Sequence, residues 1–440
     1  MRFYLETLGC PKNTVDAEMM GELLRQAGHQ ETDDIRRANL ILVNTCGFIR
    51  PAREESYKVL KELAAQKRHG QWLIAAGCLA QRYGDEIRRQ VPQVDAIIGT
   101  QNWPDIVHLV EELLRSHEPV SLVRPAGALV TSVTRRAKGA ATAYLKIADG
   151  CDASCAFCAI PLIKGPQRSK PLADILREAE ELVAQGVREI VLIAQNTTAY
   201  GRDLGLRDGL PLLIEEILAH VPHLRWLRIL YAYPQDVSER LIELMARAPQ
   251  ICHYLDLPLQ HGHPATLRRM GRPYDLDRVQ TLIASLRRAI PDIALRSTFI
   301  VGYPGETEEE FEGLLDWMTT LALDKVGVFA YSPEEGTPAV RLPNHVPPDL
   351  IAERYERAML HQQAISLQAN QHQVGRELEI LIDGAGDGLS VGRSYREAPE
   401  IDGYVFLLQE LPVGEFVRAR IIEAQEYDLV AEPLHTKQKG

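Results

Sequence analysis

The sequence predicts an α/β protein in three parts: a parallel α/β domain over residues 1–125, a partial (β/α)6 barrel over residues 140–372, and a small antiparallel β-barrel over residues 373–440. Three observations carry this reading. Short apolar runs alternate with amphipathic stretches up to about residue 330, the signature of strand–helix units with a parallel sheet. Gly, Ala, Thr and the pair Arg135-Arg136 break that periodicity over Pro125–Thr142, as a linker would. After a long helical stretch from about Asp349 to Gln373 the period changes to short alternating strands separated by glycine turns. A chain of 440 residues gives a soft prior of about three domains.

In the first part, Phe3–Leu8, Leu40–Asn44, Trp72–Ala76 and Val94–Ile98 read as strands, with helices beginning near Asn13, Pro51, Gln81 and Pro104. Three of these strands run straight into a cysteine: Leu8-Gly9-Cys10, Asn44-Thr45-Cys46 and Ala76-Gly77-Cys78. Parallel strands end on one edge of their sheet, and ligand sites lie beyond that edge. Cys10, Cys46 and Cys78 are therefore expected to converge on a metal cluster, the alternative being three separately buried thiols.

The second part offers six strands, near Ala143–Ile147, Glu189–Ala194, Leu227–Tyr231, Tyr254–Leu259, Leu295–Val301 and Lys325–Tyr331. The first delivers the chain into Asp149-Gly-Cys151-Asp-Ala-Ser-Cys155-Ala-Phe157-Cys158. Three thiols spaced this closely can wrap a single iron–sulfur cluster, leaving one iron for a distant ligand or for chemistry. A zinc loop is the competing reading, although zinc sites usually come in paired halves. Gln195-Asn196-Thr197, Gln260-His261-Gly262 and Arg296-Ser297-Thr298 also lie at or near strand ends, where a barrel keeps its ligand sites; each equally suits an ordinary turn. Gly302-Tyr-Pro-Gly305-Glu306-Thr307 lacks the Lys-Ser/Thr ending of a phosphate loop, and Glu306–Glu310 would repel an anion, so it reads as a turn into a helix. Cys252 and His253 read as structural.

In the third part, Glu377–Ile382, Ser390–Arg393, Gly403–Leu408 and Phe416–Ala424 suit a small barrel. Between Glu377 and Pro433 four bases stand against thirteen acids, a net of −9. That balance favours a basic protein partner over a phosphate backbone, or else a merely solvated face. The whole chain is acidic too, at −11. No apolar run is long enough to span a bilayer, and Glu6 interrupts the apolar start a signal peptide would need. A cytoplasmic location is expected, where seven cysteines suit metal or redox work better than disulfides.

Cys-x3-Cys-x2-Cys at the first strand end of a partial barrel resembles the radical S-adenosylmethionine superfamily. With the three-cysteine first domain and a final barrel similar to a TRAM domain, the whole chain resembles the methylthiotransferase family. Gly150–Pro161, Lys164-Gly165, Arg168-Ser169, Glu400-Ile-Asp-Gly-Tyr404 and Tyr427-Asp-Leu-Val430 resemble the branch that modifies an aspartate β-carbon in a small-subunit ribosomal protein, the uS12 class. The resemblance implies two 4Fe-4S clusters, a SAM-binding one on Cys151, Cys155 and Cys158 and an auxiliary one on Cys10, Cys46 and Cys78. It also implies S-adenosylmethionine as cofactor, with Phe157 beside it and Gln195 and Ser297 as further contacts, and a low-potential electron donor. A tRNA adenosine methylthiotransferase is the alternative, supported by Arg135-Arg136 and the basic residues of Lys164–Lys170. A nonenzymatic iron–sulfur carrier would leave the barrel without a task.

Overall fold

The computed structural model describes residues 1–127, 133–137, 139–272 and 275–434. Part of the expected linker, residues 128–132 and 138, and the tail from residue 435 lie outside that set.

The first sheet is all parallel, ordered Gln30–Glu31, Arg2–Thr7, Leu40–Thr45, Trp72–Ala76, Ala96–Gly99, Val120–Leu122. Three of its four inner strands, adjacent to one another, are the ones that precede Cys10, Cys46 and Cys78. Leu40–Thr45 is buried at every position because helices cover both faces. On one face Ile41, Val43, Leu73 and Ala75 pack against Tyr57, Leu60 and Leu63 of the helix Arg50–Gln66. The opposite residues, Leu40, Leu42, Ile74 and Ala76, join Val15 and Met19 of the helix Pro11–Gln26. The sequence reading missed the two edge strands.

The second sheet is also parallel, in the order Thr142–Lys146, Glu189–Ile193, Trp226–Ile229, Ile251–Asp256, Ala294–Val301, Lys325–Ala330. These are the six expected strands in chain order, open between first and last. Leu145, Ile190, Leu192, Leu227, Leu255 and Leu295 pack outward under the helices. Tyr144, Val191, Ile193, Leu230 and Tyr254 share one apolar cluster with Val15 and Met19 of the first domain and Leu381 and Ala398 of the last. Cys252 is buried in the fourth strand and His253 is tied to Asp292 at 2.7 Å, both structural as expected.

The last part is a closed five-stranded barrel: Glu377–Gly386, Leu389–Arg393, Val405–Leu407, Leu429–Pro433, Phe416–Ala424. Its fifth strand, Leu429–Pro433, was not expected. The segment Ser394–Asp402 leaves the barrel and enters the central domain. There Arg228 donates to the carbonyls of Tyr395 (2.6 Å) and Ser394 (3.4 Å), while Asp402 accepts from Tyr254 (2.7 Å) and Arg296 (3.3 Å).

Candidate active site

The chain leaves the strand Thr142–Lys146 through Ala148-Asp149, which pairs antiparallel with Arg168–Ser169. At Gly150 φ is +78°, and a Cβ would lie 2.2 Å from the Pro166 carbonyl oxygen, so only glycine opens the cysteine loop. The loop is then clamped by backbone bonds. Cys151 N donates to Gly165 O (3.0 Å), Ala156 N to Met270 O (2.8 Å), Ala339 N to Ala156 O (2.8 Å) and Cys158 N to Cys155 O (3.1 Å). Cys155 is buried, and its Sγ accepts a hydrogen bond from Arg272 Nε at 3.1 Å. Burial pushes the Cys151 thiol up and the Cys158 thiol up to about 12, with the charges of neighbouring thiolates adding to it and Arg272 acting against it. Phe157 meets Tyr303 edge-on, with ring centroids 6.5 Å apart.

The other three cysteines sit at the carboxyl ends of three adjacent strands. Cys10 caps the helix Pro11–Gln26, Cys46 follows Thr45, and Cys78 lies in the first turn of the helix Gly77–Gln90. Gly9, at φ +92°, brings the chain so close to Cys46 that a Cβ would stand 2.7 Å from its Cβ and 3.0 Å from its Sγ. Asn13 ties the strand ends together. Its Nδ2 donates to the Leu8 and Thr45 carbonyls (3.0 and 3.1 Å), and its Oδ1 accepts from Cys78 Sγ at 3.5 Å. Burial drives Cys46 up to about 11 and Cys78 higher still, and each thiol feels the charge of Cys10.

Among the described residues, no three His, Cys, Asp or Glu side chains stand around a single ion position. A four-iron cluster instead usually takes each thiolate on its own iron. The two sets of three thiols, on glycine-opened loops with Arg272 beside one and Lys164 beside the other, suit that group in donor type and charge.

The segments carrying the two sets meet at Cys78. Cys78 packs on Ala159 and Ile163, just beyond Cys158. Next to this contact a buried charge quartet joins the first domain to the barrel. Lys164 reaches Asp16 (3.0 Å) and Asp149 (3.1 Å), and Lys146 reaches the same two carboxylates. Burial raises Asp149, but Lys146 and Lys164 more than offset it and hold the carboxyl below its usual range. Gln195 donates to Asp149 at 2.9 Å, and its Oε1 is buried without a hydrogen-bond partner. A cleft of about 280 Å³ opens beside the loop, lined by Cys151, Ser154, Gln167, Asn196, Tyr233 and Gly271 among others.

Ser297 is fully buried, and its hydroxyl donates to Leu257 O (2.8 Å) and accepts from Leu259 N (3.2 Å), tying its strand to the segment that follows Ile251–Asp256. His261 is likewise buried, with Nε2 3.3 Å from Glu306, whose carboxylate also caps the Gly302–Tyr303 turn. The basic residues offered for RNA binding are largely internal. Arg135 is paired with Glu18 and Glu178, Lys170 with Glu178, and Lys164 belongs to the quartet. Sequence reasoning missed Lys12, Asn13, Asp149 and Arg272. Asp149 was signalled by its place two residues before Cys151, whereas the approach of Arg272 to Cys155 had no local signal.

Residues 2–99 match the family model described as uncharacterized protein family UPF0004, residues 145–318 the radical SAM superfamily, and residues 374–434 the TRAM domain. Two relatives, each described as ribosomal protein uS12 methylthiotransferase RimO, align almost end to end. That of Chloroflexus aurantiacus is 52% identical, covering 99% of this chain and 100% of the relative, and that of Roseiflexus sp. is 49% identical, covering 98% and 97%. The chain belongs to the RimO family. Such identity over both lengths extends the family to all three parts of the fold. A solved radical S-adenosylmethionine methyltransferase, TsrM from Kitasatospora setae, shares the fold at a TM-score of 0.59 and 15% identity, covering 83% of this chain and 89% of that one. No helix of the described residues is long and apolar enough to cross a membrane.

Proposed function

We propose that this chain is a radical S-adenosylmethionine methylthiotransferase that adds a methylthio group to the β-carbon of an aspartate in the small-subunit ribosomal protein uS12. The observation that carries the reading is the packing of Cys78, from one cysteine triplet, on Ala159 and Ile163 just beyond the other triplet, in a chain of this family. Cys151, Cys155 and Cys158 would hold one 4Fe-4S cluster and Cys10, Cys46 and Cys78 the other, the first with S-adenosylmethionine and a low-potential donor supplying a carbon radical and the second supplying the sulfur. Such chemistry is needed because a β-hydrogen of aspartate is too weakly acidic for an ordinary base. The residues around the thiols fix the geometry: Arg272 donates to Cys155, Asn13 binds the strand ends, and the quartet locks the helix Pro11–Gln26 against the loop. S-adenosylmethionine would occupy the cleft beside Cys151, with Phe157 on the loop and Gln195 near its rim. The chain reads as units 1–125, 140–372 and 373–440, working in the cytoplasm.

A protein substrate is favoured over tRNA by what remains on the surface. In the final barrel the exposed Arg418 and Arg420 are both paired with Glu377, while Asp387, Glu410, Glu423, Glu426 and Glu432 stay exposed. Holoenzyme incubated anaerobically with S-adenosylmethionine and reductant, and separately with purified uS12 or tRNA, tests the reading by mass spectrometry. A methylthio mass shift on uS12 alone is expected; modified tRNA with unmodified uS12 would replace it with the tRNA reading.

A further inference from the structure

Lys12 is a buried cation that the mechanism above leaves unused. It is 8% exposed, in the first turn of the helix Pro11–Gln26, two residues after Cys10. Its ammonium donates to the Ala194 carbonyl at 3.3 Å and lies 3.3 Å from the centroid of the Tyr231 ring. Tyr231 takes φ +60°, a strained setting for a tyrosine, at the end of the third barrel strand. Among the described buried lysines, Lys146, Lys164, Lys170 and Lys325 each face a carboxylate. Lys12 has none.

That arrangement is poor for stability alone. No carboxylate pairs with the ammonium among the described residues, and the positive end of a helix dipole repels it. No acidic residue stands in that first turn to relieve the repulsion. That repulsion falls when a carboxylate arrives. The ammonium also links the segments that carry the two thiol sets, Lys12 following Cys10 by two residues on one side. On the other, Ala194 adjoins Gln195, which bonds Asp149 just ahead of the Cys151 loop.

Building on the proposed function, we propose that Lys12 binds the side-chain carboxylate of the substrate aspartate, with Tyr231 and the Ala194 carbonyl aiming its ammonium. Holding the carboxylate fixes the adjacent β-carbon beside the segments that carry the two cysteine sets. It also selects aspartate over asparagine, because only the former is an anion that can pair with the ammonium.

The test is a double-mutant cycle in binding, using holoenzyme and uS12 with its target residue as Asp or Asn. Wild-type protein should bind the Asp form about ten- to a hundredfold more tightly, the range for hydrogen bonds to charged groups. Lys12→Met should bind both forms alike, and Lys12→Arg should keep part of the preference. Iron content and the visible spectrum are recorded for each variant. Should Lys12→Met fail to load, Lys12→Gln carries the comparison. An unchanged Asp preference in the charge-neutral variant overturns the assignment, as does a wild-type enzyme with no preference. S-adenosylmethionine also carries a carboxylate, so its affinity is measured in parallel. Weakened cofactor binding with an intact Asp preference overturns the assignment in favour of the cofactor. Wild-type enzyme that leaves uS12 unmodified strikes the proposed function itself, and this inference with it.

Discussion

At the scale of single residues, four of the six thiols, Cys46, Cys78, Cys151 and Cys158, are pushed up by burial and held protonated. Cys46 is driven to about 11 and Cys158 to about 12, against about 8.5 in an unfolded chain. Above that unfolded value the unfolded chain releases protons that the metal-free fold retains, so the fold loses stability as pH rises. Anaerobic denaturant titration of chelator-treated protein should show full stability below about pH 8.5, falling through the range up to about 11, the Cys46 value. A flat profile would sink this. Metal must displace those protons, so iron uptake should quicken with pH. Replacing Cys10 and Cys46 by Ala should end methylthio transfer while deoxyadenosine still forms, read by chromatography and intact mass. Cys78 is left in place because its side chain packs on Ala159 and Ile163, so removing it would disturb the other loop, contrary to what separate domains suggest. The cysteines were legible because their spacing and strand-end positions are local facts. Lys12 and Arg272 were not: their meaning depends on partners 182 and 117 residues away.

At the scale of elements, the alternating apolar runs located all six barrel strands and every central strand of the first sheet. The two-residue strand Gln30–Glu31 and the three-residue Val120–Leu122 carry too little pattern to be seen, and only their pairing with a formed sheet makes them strands. Leu429–Pro433 was hidden similarly, by Glu432 and a terminal proline. What joins these elements is less visible still. Glu189, on the second barrel strand, is fully buried between Arg228 (2.7 Å) and Arg393 of the final barrel (2.8 Å). Burial pushes its carboxyl up, but the two arginines more than offset it and hold it at about 2. This contribution is complete above the ordinary carboxylate range and disappears as pH falls through about 2. Glu189→Gln leaves two buried guanidiniums short of charge and should cost about 3–5 kcal/mol in urea unfolding. A loss below about 1 kcal/mol, the size of a surface pair, would contradict the buried-bridge account.

At the scale of the whole molecule, the three-part division read from the sequence describes the sheets well but understates their interdependence. Deleting everything after Gly375 would remove partners of Arg228 and Arg296 inside the barrel, so truncation does not isolate recognition. Charge reversal on exposed positions does. Glu423→Lys with Glu426→Lys and Glu432→Lys should weaken uS12 binding about tenfold or more at low salt, converging with wild type as salt rises. Affinity unchanged by the three substitutions would clear this face of any part in recognition. The insertion of Ser394–Asp402 also sets a timetable for synthesis. Arg228 and Arg296 leave the ribosome well before the loop that completes their bonding, a delay of roughly ten seconds or more at ordinary elongation rates. Throughout that interval Arg228 has Glu189 and Arg296 has Asp256, but the carbonyls of Ser394 and Tyr395 and the carboxylate of Asp402 are still to come. The inner arginines of the barrel therefore reach their finished setting only once Asp402 has been made.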